Sequence, residues 1–442
     1  MTNKTHVVRR FVAKHAEFVR GAAILMSGKT LAAAIAFFTM PIVARLFVPS
    51  DFGVAAMFVS IVSIVSSVGS LRYGEAVVLP EAHSEAVSVM AFAYRVVFST
   101  CTAMMVLIVI YEASGETWPA LELLGKWKWF LPFGVLFQSM IFVQASWLIR
   151  NKAFKTLSAA DVVGNTVTTG SRIGLGAAFG SSAFGLVVGY LVGLISRLAV
   201  QRSGCIEGLR ATFRRIGWPK LRQIASRYSD FPKLNAPAGL LFSMGGNLPV
   251  LLFGVMFSPA IAGFYAMADR LSQVPLSIVA NSARQVFLQK SATISQSGRS
   301  LQKAFLLATG ALALFGVIPF ICVWLYGQQI ITWLLGERWS EAGLYIEIIA
   351  PWLFVLLVAA PCHPVLVVLR EQKYWLSLEI AMISLRLGAF GFAYLMVEGP
   401  IWTLQAFTLV SVIGNLATIL TAFMLISRRS INGANGDSGT VP

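Results

Sequence analysis

Apolar runs close to 20 residues long recur along the whole chain, and short segments holding most of the charge separate them. At about 1.5 Å of rise per residue, a helix of that length crosses the hydrocarbon core of a bilayer. Twelve such spans are predicted. In the first half they fall at 21–46, 52–72, 87–111, 129–149, 156–178 and 183–200. In the second half they fall at 234–257, 262–288, 303–326, 345–369, 375–397 and 401–426. The pattern therefore predicts an all-α polytopic membrane protein of two six-helix bundles, 21–200 and 234–427. A basic linker at 201–233 joins them, an interfacial helix is expected over 1–20, and a disordered tail over 428–442.

Composition agrees with this division. The 442 residues are 57% hydrophobic and only 12% charged, against about 25% charged in soluble domains. Lys and Arg outnumber Asp and Glu by 35 to 19. With both termini in the cytoplasm, 25 of those basic residues lie in inner segments and four (Arg45, Lys126, Lys128, Arg338) in outer loops. That asymmetry encodes orientation, so the net charge of +16 does not point to nucleic acid.

Enzymatic constellations are missing from the pattern. The run SGKT at 27–30 lacks the glycine that a phosphate-binding loop needs at position 23, which is Ala23, and it lies inside an apolar helix. Cys101, Cys205, Cys322 and Cys362 have no metal or disulfide spacing. His363, in PCHP, is the only histidine within a span. The expectation is a transporter that uses no cofactor and no metal.

An internal repeat crosses the linker. FVPSDFGVAAM (47–57) and FSPAIAGFYAM (257–267) share F-x-P-x-x-x-G-x-x-A-M at a spacing of 210 residues. Both copies fall at the outer turn between the first two spans of their half. An even number of spans per half gives both halves one orientation, as in secondary transporters with parallel repeats. Glycines at 170, 174, 176, 180, 185, 189 and 193 would bring the fifth and sixth spans close together.

The most informative residues are charges within spans: Lys29, Arg95, Arg172, Arg197, Arg270 and Arg386. Each opposes insertion by roughly 2.5–3.5 kcal/mol at a helix centre. Lys29 and Arg95 sit ~12 Å in from the cytoplasmic face, Arg386 near mid-depth, and Arg172 and Arg270 nearer the outer face, while Arg197 snorkels from its helix end. Asp161, Asp269, Glu347 and Glu379 are the deepest acids, too few to neutralise this set. A hydrated cavity between the bundles, lined by an excess of cations, suits a polyanion such as a pyrophosphate or an acidic sugar. Asp161, Asp269 and Glu379 are the candidates for proton or sodium coupling.

FFTMPIVARL (37–46), ARLFVPSDFG (44–53) and LRYGEAVVLPE (71–81) together resemble the Wzx-like oligosaccharide flippases of the multidrug/oligosaccharidyl-lipid/polysaccharide exporter superfamily. The carrying residues are Pro41, the turn from Ala44 to Gly53, then Arg72, Tyr73, Ala76, Val77 and Pro80. The resemblance implies a V-shaped pair of six-helix bundles in the bacterial inner membrane. Its substrate would be an undecaprenyl-pyrophosphate-linked oligosaccharide, moved outward by alternating access for O-antigen or exopolysaccharide synthesis. Membrane lipids, a polysaccharide polymerase and a chain-length regulator are the implied partners. Arg72, with Glu75 one turn on, would then join Lys29, Arg95, Arg172, Arg270 and Arg386 in contacting substrate. The second copy of the repeat has Ser282 and Gln285 at that offset, which confines this role to the first half. A drug/cation antiporter of the same superfamily and a polysaccharide polymerase or ligase are the alternatives. The first would want an acidic cavity, the second an extended outer loop.

Overall fold

The computed structural model of the protein describes residues 21, 23–202, 217–296, 301–369, 371–397 and 399–436. The predicted interfacial helix at 1–20, most of the first half of the linker, and the end of the tail lie outside these residues.

Twelve long helices are present among the described residues. In the first half they are α1 (Ala23–Leu46), α2 (Pro49–Val68), α3 (His83–Ser114), α4 (Leu131–Arg150), α5 (Phe154–Phe179) and α6 (Ala183–Gln201). In the second half they are α7 (Ala236–Met256), α8 (Pro259–Gln296), α9 (Leu301–Leu335), α10 (Ser340–Val358), α11 (Gln372–Val397) and α12 (Pro400–Gly436). Each contains the middle of one predicted span. The last runs to Gly436, nine residues past the expected boundary at 427, because extending a formed helix costs little.

Ten of these helices are long and apolar enough to cross a membrane. The two others, α5 and α8, hold Lys155, Asp161 and Arg172, and Asp269, Arg270 and Arg284, among many Ser, Thr and Gly residues. Polar atoms inside a bilayer need partners on neighbouring helices, so these two are the first places to look for function.

Local chemistry explains the ends. Proline stands in the first turn of α2, α4 and α7, where its missing N–H costs nothing. Ser182 caps α6 by accepting from the Phe184 N–H at 3.2 Å. Asp51 reaches the same loop: its carboxylate accepts from Ser181 Oγ at 2.6 Å and from the Ala183 N–H at 3.1 Å. The turn motif of α2 thus fastens the start of α6. Within α1 the helix breaks at Thr39 and resumes as Met40–Leu46; Pro41 cannot donate to the preceding turn.

Contacts divide the chain into two compact units, Met1–Gly263 and Phe264–Pro442. In the first, α5 packs along α6, α6 on α2 and α4, and α4 on α2 and α3. Gly28 of α1 lies on Ser158 of α5. The α5–α6 seam uses glycine, though not every predicted one. Gly176 and Gly185 enclose the Phe47 ring, Gly189 accommodates Arg172, and Gly193 receives Thr168, whereas Gly170 and Gly174 meet nothing within 4 Å.

Helix α7 also belongs to the first unit and runs antiparallel along α2. Met57 lies against Gly254, Ser243 Oγ donates to the Ser63 carbonyl at 3.2 Å, and Arg72 lies against Gly239. At the outer end of this seam the two repeat copies meet each other. A Cβ at Gly53 would fall on the Pro259 carbonyl, and a Cβ at Gly263 would fall on the Pro49 carbonyl. Equivalent residues of the two motifs exchange equivalent contacts, giving a local pseudo-twofold clasp.

In the second unit, α9 packs on α10, while α12 packs on α10 and α11. Glu347 of α10 accepts from the Gln328 backbone N–H of α9 at 2.7 Å, so this acid has a structural task. Phe407 of α12 is a ring hub, with centroids of Trp352, Phe390 and Tyr265 at 5.5, 6.0 and 6.5 Å. Toward the other end, Phe287, Phe305, Cys362, Val365, Leu369, Ala422 and Ile426 form a buried apolar cluster.

Candidate functional site

The ring hub holds Arg386, a half-buried cation of the second unit. Helical periodicity puts Phe407, Ser411 and Asn415 on one face of α12, and Tyr265, Asp269 and Gln273 on one face of α8. Arg386 of α11 extends toward the first face. Its guanidinium carbon lies 5.3 Å from the ring centroids of both Trp352 and Phe407, within cation–π range. Its Nε donates to Ser411 Oγ at 2.9 Å. Ser411 in turn donates to the Phe407 carbonyl at 2.7 Å, and Asn415 donates to the Ser411 carbonyl at 2.7 Å. A guanidinium has five N–H donors, and one is engaged here. No carboxylate forms an ion pair with Arg386 among the described residues. Two aromatic faces hold the cation in place without neutralising it.

The nearby acids are partnered differently. Asp269 accepts from Gln273 Nε2 at 3.3 Å and does not pair with its neighbour Arg270, as expected for adjacent helical positions. Glu379 is half-buried and within electrostatic reach of Arg386, two turns on in α11. Arg270 is half-buried, with no hydrogen bond or ion pair among the described residues.

In the first unit the predicted residues separate into two groups. Asp161 of α5 forms an ion pair with Arg197 of α6, their side chains 8% and 28% exposed. Arg197, expected to snorkel, instead has a carboxylate, and Asp161 is committed to it. Arg172 is buried, and its Nε donates to the Leu186 carbonyl at 3.3 Å. Both belong to the α5–α6 seam. Lys29 is exposed and Arg95 half-buried.

Arg72 stands apart. It follows Leu71 in a turn where both residues are left-handed, φ 47° and 61°, a conformation that costs a non-glycine residue of order 1 kcal/mol or more. The turn ends α2 and delivers Arg72 to Glu75, with which it forms an ion pair, and to the backbone of Gly239. Arg72 Nε is buried without a hydrogen-bond partner among the described residues.

Surrounding elements hold this turn rigidly. Arg150, at the end of α4, donates to the carbonyls of Val78, Pro80 and Glu81. Tyr73 donates its hydroxyl to the Ala225 carbonyl of the linker helix Trp218–Arg227 at 3.3 Å. Arg227 and the Tyr228 hydroxyl both donate to Glu85 Oε1, at 2.7 and 3.2 Å. Burial, followed by the Glu85 charge, pushes the Tyr228 hydroxyl up from its usual pKa, which keeps it a donor. The basic linker is thereby fastened to the turn that carries Arg72.

Sequence reasoning missed Trp352, Phe407, Ser411 and Arg150, and it named Asp51 only as part of the outer turn motif. The Phe407–Ser411–Asn415 stripe, a ring and two polar groups one turn apart in an apolar span, was the available signal for two of the contacts around Arg386. Nothing local marks Trp352.

The family model described as "Polysaccharide biosynthesis protein" matches residues 42–343, more than half of the chain. The chain belongs to that family. This polysaccharide biosynthesis protein has no match among curated proteins. Its fold is that of known transporters. The lipid II flippase MurJ, in an inward closed conformation, aligns with TM-score 0.71 at 12% identity, covering 96% of this chain and 94% of its own. An inward-facing multidrug resistance MATE family transporter of the MOP superfamily aligns with TM-score 0.69 at 12% identity, covering 91% and 95%. A MATE transporter of Vibrio cholerae aligns with TM-score 0.54 at 11% identity, covering 94% and 97%. The chain is thus a multi-pass membrane protein with the fold of these transporters and flippases.

Proposed function

We propose that the protein moves undecaprenyl-pyrophosphate-linked oligosaccharide units from the cytoplasmic to the periplasmic leaflet of the bacterial inner membrane by alternating access, both termini being cytoplasmic. The product would serve O-antigen or exopolysaccharide synthesis. One observation carries this reading: Arg386, inside a membrane span, is held by Trp352, Phe407 and Ser411 with no carboxylate paired to it. A cation held that way in low dielectric gains most from an anion that arrives and leaves, and a diphosphate accepts bidentate guanidinium contacts.

Lys29, Arg72, Arg95 and Arg270 complete the substrate-contacting set. Arg172 supports it from the α5–α6 seam. Among the acids, Asp269 and Glu379 are the coupling groups, because neither forms an ion pair among the described residues; Asp161 is taken up by Arg197.

The test is flipping of a fluorescent polyprenyl-diphosphate-linked sugar in proteoliposomes. R386Q is expected to reduce the rate at least tenfold, and R386K to restore only part of it, since Lys lacks the planar fork. Wild-type rates in R386Q would end this reading. Asp269, a half-buried carboxylate, favours a second reading as a drug/cation antiporter. Efflux of a cationic dye that is lost in D269N and unchanged in R386Q would select it.

A further inference from the structure

Trp352 is only 7% exposed, yet its indole Nε1 is buried with no hydrogen-bond partner among the described residues. An indole N–H can only donate, and a buried tryptophan normally finds an acceptor for it. A donor left unmet is costly, and an apolar ring in the same place would carry no such penalty. The surroundings of this ring give the orphaned donor a use. The Arg386 guanidinium lies over it, 5.3 Å from the centroid, and Phe407 packs edge-on against it at 5.5 Å.

The polar groups that touch this cation are already committed. Arg386 gives its Nε to Ser411, and its remaining N–H groups have no acceptor among the described residues. Ser411 spends its one proton on the Phe407 carbonyl, and the Asn415 amide donates to the Ser411 carbonyl. What remains unspent beside the two rings is donor capacity, the guanidinium edge of Arg386 and the N–H of Trp352. A neutral sugar hydroxyl would bring one more proton to such a set and find nothing to take it. A carboxylate has two oxygens, and the guanidinium fork uses both. A phosphoryl group is tetrahedral and keeps a further oxygen for the indole.

We infer that Trp352 Nε1 is a second anion donor beside Arg386, and that the pair selects a phosphoryl group over a carboxylate or a neutral sugar. Arg386 is half-buried and Trp352 buried, so the anion meets the guanidinium first and draws it off the ring, which uncovers the indole edge. The assignment of that phosphoryl group to the lipid-linked substrate rests on the flippase reading. Trp352 thus holds Arg386 with its face before the anion arrives and donates to the anion afterwards.

The test replaces Trp352 by benzothienylalanine, which keeps the shape of the side chain and puts sulfur where the N–H was; W352F removes the same donor by a second route. Purified full-length protein would be titrated by microscale thermophoresis with farnesyl diphosphate, inorganic pyrophosphate, malonate, and phosphatidylglycerol in mixed micelles, with thermal unfolding measured alongside. The sulfur isostere is expected to bind both diphosphates about tenfold more weakly, the loss of one hydrogen bond to a charged group, with malonate binding and the melting temperature unchanged. An equal loss for malonate overturns the selection of phosphoryl over carboxylate. Unchanged diphosphate affinity in both replacements, or no diphosphate binding by the wild type, overturns the donor itself. A lowered melting temperature in the isostere with affinity intact would show that the N–H serves the fold, and overturns it too.

Loss confined to phosphatidylglycerol assigns the donors to bilayer lipid and overturns the substrate assignment, while the prenyl chain's contribution to affinity separates lipid-linked diphosphate from free pyrophosphate. Diphosphate binding that depends on Arg386 and Trp352, in a protein that flips no lipid-linked sugar, would sink the flippase reading and leave the donor pair standing. Flipping lost in R386Q but kept at wild-type rate and affinity in the isostere would do the reverse.

Discussion

At the scale of single residues, the cations within the spans divide by what holds them. Arg172 and Arg197 are spent on the α5–α6 seam, one on the Leu186 carbonyl and one on Asp161. Arg386 is held by rings and a hydroxyl, which position charge without cancelling it. The two kinds should respond differently to mutation. Removing a buried partner strands its charge, at about 3–5 kcal/mol for a fully buried pair; because Arg197 is 28% exposed, about 2 kcal/mol is expected for D161N. The exchange D161R/R197D should recover most of the thermal stability. R386Q should leave stability near wild type and act on transport alone. Residue types were legible in the sequence, but their partners were not: Asp161 and Arg197 are 36 positions apart in the chain, and no local pattern joins them.

At the scale of elements, the outer turn motif has several tasks at once. Asp51 fastens the start of α6, Phe47 fills the space left by Gly176 and Gly185, and Gly53 lets α2 approach the carbonyl of Pro259. The second copy reciprocates through Gly263 and Pro49. Alanine at either glycine must push backbone away from backbone, which typically costs about 1–3 kcal/mol. G53A and G263A should each lower the melting temperature, and the double variant should cost less than the sum, since one separation relieves both clashes. G170A, with nothing within 4 Å, should be neutral or stabilising by about 0.5–1 kcal/mol through helix propensity. Thermal unfolding in detergent distinguishes these outcomes. The repeat itself was readable as five identities at fixed spacing. That its two copies touch each other was not, because contact depends on how α2 and α7 are laid side by side.

At the scale of the whole molecule, 25 basic residues in one set of segments against four in the other predict a definite orientation. A green fluorescent protein fused after residue 430 should fluoresce, and alkaline phosphatase inserted in the 112–118 loop should be active; the reverse pattern would invert the assignment of Arg72 to the cytoplasmic side. Helix number, helix type and approximate ends were determined by the sequence alone, because each is set by the bilayer acting on a local stretch of chain: about 20 apolar residues must be helical to satisfy their backbone. Tertiary structure alone decided which charges were neutralised and which were kept available. It placed Arg386 against two rings and closed Asp161 onto Arg197, since those distances depend on which helix faces lie against each other and a linear pattern carries no record of that choice.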